Sequence, residues 1–300
     1  MRYKITSYKK NSNIFFSRKF VAFQGQRLLV FTLGVFLIFS SFSMVTFAQE
    51  TPWHIEMVSH RGYSHYYPDN TLTAFQAAID AGAKAVELDV RKTSDGAFVI
   101  YHDDTVAKLT GKPNDTTGIK KYTLEQVKSF DNGAWFDEKF VGEQIPTLDE
   151  ALALFEGTDV TIYVELKDVG RSKKFPQDVY WIVKSHGLLN QVVFSSFKYS
   201  YLKQIKALNY SQPVMKLTGT ASLDLAKRCP ADYYGINMAA CNPTVVRVYH
   251  EAGALVYAYT PQNAVEGMSL QNMGVDGFIT DYVSADELVV PTDIPIELIR

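Results

Sequence analysis

Between residues 57 and 104, two of the three histidines, one of the two arginines and a Glu-x-Asp pair each close or punctuate an apolar run. One run ends in His60-Arg61-Gly62, a second (AVELDV) carries Glu87 and Asp89, and Tyr101-His102-Asp103 follows a hairpin-type Asp95-Gly96. Glu87 and Asp89 are two apart, so on a strand they share a face. Two carboxylates side by side toward an interior repel and are costly to desolvate unless a cation sits between them. Oxygen ligands suit a hard ion, Ca²⁺ or Mg²⁺. Glu165, in YVELK, would complete a three-carboxylate cup. The alternative is a solvated outer face, but Ala85, Val86, Leu88 and Val90 leave little polar surface there. His60 and His102 are the groups on these loops suited to proton transfer near neutral pH. Arg61 and Lys167 suit phosphate oxygens. Together these types point to metal-assisted phosphoryl chemistry. His54, His65, His186 and His250 have no such setting and read as surface or structural residues.

The elements that must position these groups alternate. Apolar runs predict strands over 55–59, 85–90, 161–166, 191–195, 213–217, 233–236, 254–259 and 277–280, with an extra strand over 97–101. Amphipathic stretches predict helices over 71–81, 148–155, 177–186, 199–208, 223–227, 243–252 and 264–273. Thr71 or Asn70 stands where a helix cap is needed. Residues 103–146 interrupt the rhythm with polar loops around one short helix at 124–129, an insertion after the second strand that we place over the active-site mouth. Eight βα units argue for a (β/α)8 TIM barrel, in which reactive groups stand at the C-terminal strand ends. An open doubly wound sheet is the alternative, weakened by the absence of Gly-x-Gly-x-x-Gly after the first strand.

The 300 residues have a formal charge of −2 that hides an asymmetry. Of 30 basic side chains, seven fall in residues 1–49, which hold no acid; the remaining 23 face all 32 acids. That acidic balance disfavours nucleic acid as a partner. The basic stretch precedes an apolar run over 28–48 that ends in Thr46-Phe47-Ala48, the pattern of a secretory signal peptide. The run is also long enough to span a bilayer, so an uncleaved anchor, with membrane association through residues 28–48, is the alternative. Either way residues 1–48 are a leader, residues 50–300 form the barrel domain, and that domain is extracytoplasmic: periplasmic, secreted or anchored facing outward. Cys229 and Cys241 could pair in such a compartment, or both could be buried thiols.

The motifs HRG, PDNT, ELDV, TxDG, HD, IPTLDEAL, VELK and GVDGFITD resemble the glycerophosphodiester phosphodiesterase family over nearly all of residues 55–285. The resemblance implies a (β/α)8 barrel that hydrolyses glycerophosphodiesters to glycerol 3-phosphate and an alcohol with one divalent cation. It implies that His60 and His102 are the general acid/base pair. It also makes Glu87, Asp89 and Glu165 the metal ligands, and Arg61 and Lys167 the phosphate contacts. Two departures stand out: Asp69 replaces the family's usual Glu, and Tyr259-Thr260 replaces its usual Trp-Thr. A lysophospholipase D-type enzyme would use the same residues with a greasier mouth, for which Phe130, Trp135, Phe136 and Phe140 are candidates; packing of the insertion is their alternative role. A sugar-modifying barrel would need paired carboxylates without these histidines and cations. A non-catalytic cell-envelope module would not need both histidines.

Overall fold

The computed structural model describes residues 55–167 and 174–288, so the expected leader over 1–48 and His54 lie outside the described residues. The strands are β1 (Glu56–Ser59), β2 (Ala85–Lys92), β3 (Phe98–Ile100), β4 (Thr161–Leu166), β5 (Val192–Ser196), β6 (Val214–Thr218), β7 (Tyr233–Asn237), β8 (Leu255–Tyr259) and β9 (Gly277–Thr280). All but β3 pair in parallel, and β1 pairs with both β9 and β2, which closes an eight-stranded barrel. Closure rules out the open sheet. β3 lies antiparallel on the far side of β2, as the Asp95-Gly96 turn predicts.

Each barrel strand leads into an α-helix except β2, which is followed first by β3, and β9, which is followed by a single 3-10 turn at Ala285–Glu287. The helices are α1 (Leu72–Asp80), α2 (Ala107–Thr110), α3 (Leu124–Lys128), α4 (Leu148–Phe155), α5 (Phe175–Ser185), α6 (Tyr199–Leu208), α7 (Leu225–Arg228), α8 (Pro243–Glu251) and α9 (Ala264–Asn272). Thr71 caps α1 by accepting from Ala74 N at 3.1 Å. α5 starts two residues earlier than expected, because Pro176 fits a first helical turn whose N–H groups need no partner. α7 is a single turn that starts two residues later than the expected span.

The period of two sorts the strands. Val86, Leu88 and Val90 face outward into a core with Phe75, Leu148, Leu152 and Phe155. Ala85 faces inward with Val58, Tyr163, Val193, Met215, Leu217, Tyr257 and Ile279. Gly277 leaves room for one of these interior rings: a Cβ there would lie 2.2 Å from Tyr257 Cε1. Residues 103–146 pack as a lobe with its own small core, Val106, Ile119, Val127 and Ile145 against Val99 and Tyr101. The aromatics of this lobe mainly pack: Phe130 meets Tyr122, Phe136 meets Phe140, and Phe140 meets Tyr67. Cys229 and Cys241 are free thiols, so the disulfide is not formed. Cys241 is buried beside Val245 and Tyr249, and burial pushes its thiol up to about 11.

Candidate active site

Because Glu87 and Asp89 keep the inward parity of Ala85, they project into the barrel at the C-terminal end of β2. In β4 the same parity brings Glu165, and then Lys167 just past the strand, to meet them; Asp89 and Glu165 are register partners. The three carboxylates are buried, with relative exposures of 4, 1 and 8%. One oxygen from each lies within 4.8 Å of the others. Lys167 Nζ bridges two of them, 3.0 Å from Glu165 Oε1 and 3.2 Å from Asp89 Oδ1. Asp89 Oδ1 nevertheless accepts no well-directed hydrogen bond, although it is fully buried. A buried acceptor without a hydrogen bond, ringed by two more carboxylates, is a donor set that fits a hard divalent cation.

The electrostatics are uneven. Burial, then the charges of Asp89 and Glu165, push the Glu87 carboxyl well above its ordinary value. Burial and Asp89 push Glu165 up to about 7. Burial acts against Asp89 too, but Lys167 and Arg61 outweigh it and hold Asp89 well below the usual carboxylate range. Without a cation the cup carries one secure negative charge and two reluctant ones.

Arg61 and Asn70 stand at opposite ends of the loop after β1, both with left-handed backbone (φ 60° and 58°). Asn tolerates that region and Arg rarely adopts it. What holds Arg61 there is a dense set of contacts. Its backbone N–H donates to Glu87 Oε2 (3.0 Å), its Nη1 to Asp69 Oδ2 (3.2 Å), and its Nε lies 3.4 Å from Asp89 Oδ2. Asn70 N donates to Arg61 O at 3.0 Å, and Asn70 Nδ2 to Asp89 Oδ2 at 2.7 Å. The departure at Asp69 is thus accommodated, since the shorter acid still reaches Arg61 and also takes a bond from Lys108 Nζ at 2.8 Å.

Each histidine has an aspartate at Nδ1. His60 Nδ1 is 2.8 Å from Asp281 Oδ1, and His102 Nδ1 is 2.9 Å from Asp103 Oδ1. Burial, then the Arg61 charge, lower the His60 pKa despite the opposing pull of Asp281. Burial raises Asp281, but its bond with His60 prevails and brings it down to about 2. Arg91, two residues past Asp89, donates from Nε to the carbonyls of Tyr101 and His102, which fixes the His102 backbone. His60, Arg61, Glu87, His102, Glu165 and Lys167 line one solvent-open cavity of about 150 Å³. Its other wall is mostly apolar, with Phe197, Met215, Leu217, Tyr259 and Ile279. Tyr259 donates its hydroxyl to Thr218 O at 2.8 Å, so the residue at the second departure forms part of that wall.

All seven expected site residues therefore meet at one mouth: six line the cavity, and Asp89 contacts two of them, Arg61 and Lys167. The remaining described histidines lie elsewhere: His65 stacks on Tyr282, His186 pairs with Glu156 and Asp149, and His250 with Asp276. Sequence reasoning gave no site role to Asp281, Arg91, Asp103 or Lys108, and considered Asn70 only as a helix cap. Asp281 directly follows β9 as His60 directly follows β1, and Arg91 continues the parity of residues 87 and 89, so both were within reach of the same signals.

The family model described as Glycerophosphoryl diester phosphodiesterase family matches residues 60–285. A glycerophosphodiester phosphodiesterase of Caldanaerobacter subterraneus is 31% identical over 231 residues, covering 75% of this chain and 93% of that protein. One from Bacillus subtilis is 29% identical over 253 residues, covering 77% and 85%. The structure of an Oleispira antarctica phosphodiesterase in complex with the product sn-glycerol-3-phosphate superposes with a TM-score of 0.70 at 27% identity, covering 76% of this chain and 93% of that one. The matched span begins at the first histidine of the mouth and runs past the aspartate that holds it, so fold, site and sequence agree: this chain belongs to the glycerophosphodiester phosphodiesterase family and is a phosphoric diester hydrolase.

Proposed function

We propose that the protein hydrolyses a glycerophosphodiester to glycerol 3-phosphate and an alcohol, using one divalent cation, Ca²⁺ or Mg²⁺. The observation that carries this reading is the shared cavity. It brings together two histidines, each held at Nδ1 by an aspartate, and a buried carboxylate cup with two cations beside it. Glu87, Asp89 and Glu165 would hold the cation, which when bound polarises a phosphoryl oxygen and offsets the charge that builds on it. Arg61 and Lys167 orient the phosphodiester and neutralise its remaining oxygens.

With Nδ1 engaged, each imidazole keeps Nε2 for the substrate. His60 stays neutral near pH 7 because burial and Arg61 lower its pKa, which suits it to take a proton from the nucleophile. His102 then protonates the departing oxygen. If the glycerol 2-hydroxyl attacks, a cyclic phosphate forms as the alcohol leaves; water opens it with the two histidine roles exchanged. The bound product in the Oleispira antarctica relative supports a small glycerol phosphate as the common product.

We also infer an extracytoplasmic site of action, on the basis of the cationic stretch and the apolar run over 28–48. Among the described residues no helix is long and apolar enough to cross a membrane. N-terminal sequencing of the exported protein would test the leader: a mature chain starting at Gln49 means cleavage, and an intact chain in the membrane fraction means an anchor. The reaction is tested by release of glycerol 3-phosphate from glycerophosphocholine by residues 50–300, first with EDTA and then with added Ca²⁺ or Mg²⁺. Release restored by one ion is the expected outcome. Folded protein that releases nothing under any of these conditions would overturn the reading.

A further inference from the structure

Both arms of the site are tied to the lobe formed by residues 103–146 through one side chain. Lys108 belongs to the short helix α2, whose neighbour Val106 is buried in the small core of the lobe. From there Lys108 Nζ donates to Asp69 Oδ1 at 2.8 Å and lies 3.9 Å from Asp103 Oδ2. The other oxygen of Asp69 accepts from Arg61 Nη1, and the other oxygen of Asp103 is bonded to His102 Nδ1. Among the described residues Lys108 is the cation paired with both aspartates. Its ammonium is 4.0 Å from the centre of the Trp135 ring, and its side chain is only 22% exposed, so it is clamped and largely withdrawn from water. The lobe grips the same point a second time, since Asn132 Nδ2 donates to Asp69 O at 3.4 Å.

We propose that Lys108 is a positioning residue. By holding Asp69 and Asp103 at once, it fixes the Arg61 guanidinium and the His102 imidazole relative to each other. This rests on the roles proposed above for Arg61 and His102. It gives the inserted lobe a task in the reaction beyond covering the barrel. Without the ammonium, two carboxylates lose a shared partner and each is freer to move. Arg61 and His102 then sample geometries in which phosphate contact and proton transfer do not coincide. Partners that orient catalytic groups from one contact away are worth about 10–100-fold in activity.

The test uses the full-length protein with Lys108→Met, which keeps an unbranched aliphatic side chain but removes the ammonium, and Lys108→Arg, which keeps the charge. Lys108→Met is expected to lower kcat on glycerophosphocholine by about tenfold or more, with KM moving much less, and Lys108→Arg to restore most of the loss. The loss should also be non-additive with Asp103→Asn, because both variants release the same imidazole. A second readout does not depend on turnover. The His102 Nδ1–H proton resonance should broaden by solvent exchange in Lys108→Met and stay sharp in Lys108→Arg. Wild-type kcat in Lys108→Met, an Arg variant no better than Met, or an unchanged His102 resonance would each overturn the proposal. A wild-type protein without turnover, but with the resonance lost in Lys108→Met, would refute the reaction and leave the positioning role standing.

Discussion

At the N-terminal end of the barrel, the rings of Tyr163, Tyr233 and Tyr257 meet at centroid distances of 5.6–6.2 Å. Glu56 accepts from Tyr257 at 2.6 Å and from Tyr163 at 3.3 Å. At the other end of the same barrel, the interior carries three carboxylates, two cations and two histidines. Tyr163 and Glu165 are two residues apart on β4, about 7 Å along the strand; both line the cavity, Tyr163 as part of its packed floor and Glu165 at its charged mouth. Rings close the floor with few polar atoms to satisfy, so it contributes rigidity. The mouth concentrates charges that repel and stay buried only because each has a partner or a place for a cation. Stability and chemistry are thus separated along the barrel axis, and substitutions at the two ends should separate in the same way.

The largest effect should come from the mouth without touching stability. His60→Ala and His102→Ala should each lower kcat/KM by about 10²–10⁴-fold, with thermal melting and cation affinity nearly unchanged. Near-wild-type rates in either variant would remove that histidine from the mechanism. Asp89→Asn should raise the cation concentration needed for half-maximal rate by at least about tenfold. If a cation titration showed no such change, the carboxylate cup would not be the metal site.

The floor should respond in the opposite sense. In Gly277→Ala the new methyl meets the Tyr257 ring, and overpacking of this kind costs about 1–3 kcal/mol. Denaturant unfolding should show the loss while kcat of the folded protein holds. A fall in kcat at full stability would mean that the two ends are coupled.

The smallest effects are in pH dependence, and they have opposite signs. Burial and Asp89 raise Glu165 to about 7, so its protonated form favours the fold when no cation is present. That contribution is complete below its ordinary value and is lost as pH rises through about 7. Added cation should therefore raise Tm more at pH 8 than at pH 6, and a pH-independent gain would contradict the cup. Asp281 is the reverse case: its folded value of about 2 lies below the ordinary one. Its contribution is present above the ordinary value and is lost as pH falls toward 2. In Asp281→Asn that part of the acid-induced loss of stability should disappear.

Much of this organisation could be read along the chain. The alternation over residues 85–90 puts Glu87 and Asp89 on one face, and the βα rhythm with strand-end histidines implies a barrel with its chemistry at the C-terminal rim. These are local signals, because a period of two and a turn dipeptide act over a few residues. The floor was less legible. Tyr163, Tyr233 and Tyr257 look like any strand aromatics, and only closure of the sheet turns them toward one another. The lobe was legible as an interruption, but not its contact with the site through Lys108.

The sequence by itself determined the residue types at the mouth, their parity on each strand and the order of the elements. Only the tertiary structure decided which aspartate holds which histidine. Asp281 reaches His60 across 221 residues of chain because β9 lies beside β1 once the barrel closes. Likewise Lys108 stands between Asp69 and Asp103 because the lobe packs against the loop after β1. Such pairings depend on strand order and on where an inserted segment comes to rest, and no period or spacing in the chain encodes that distance.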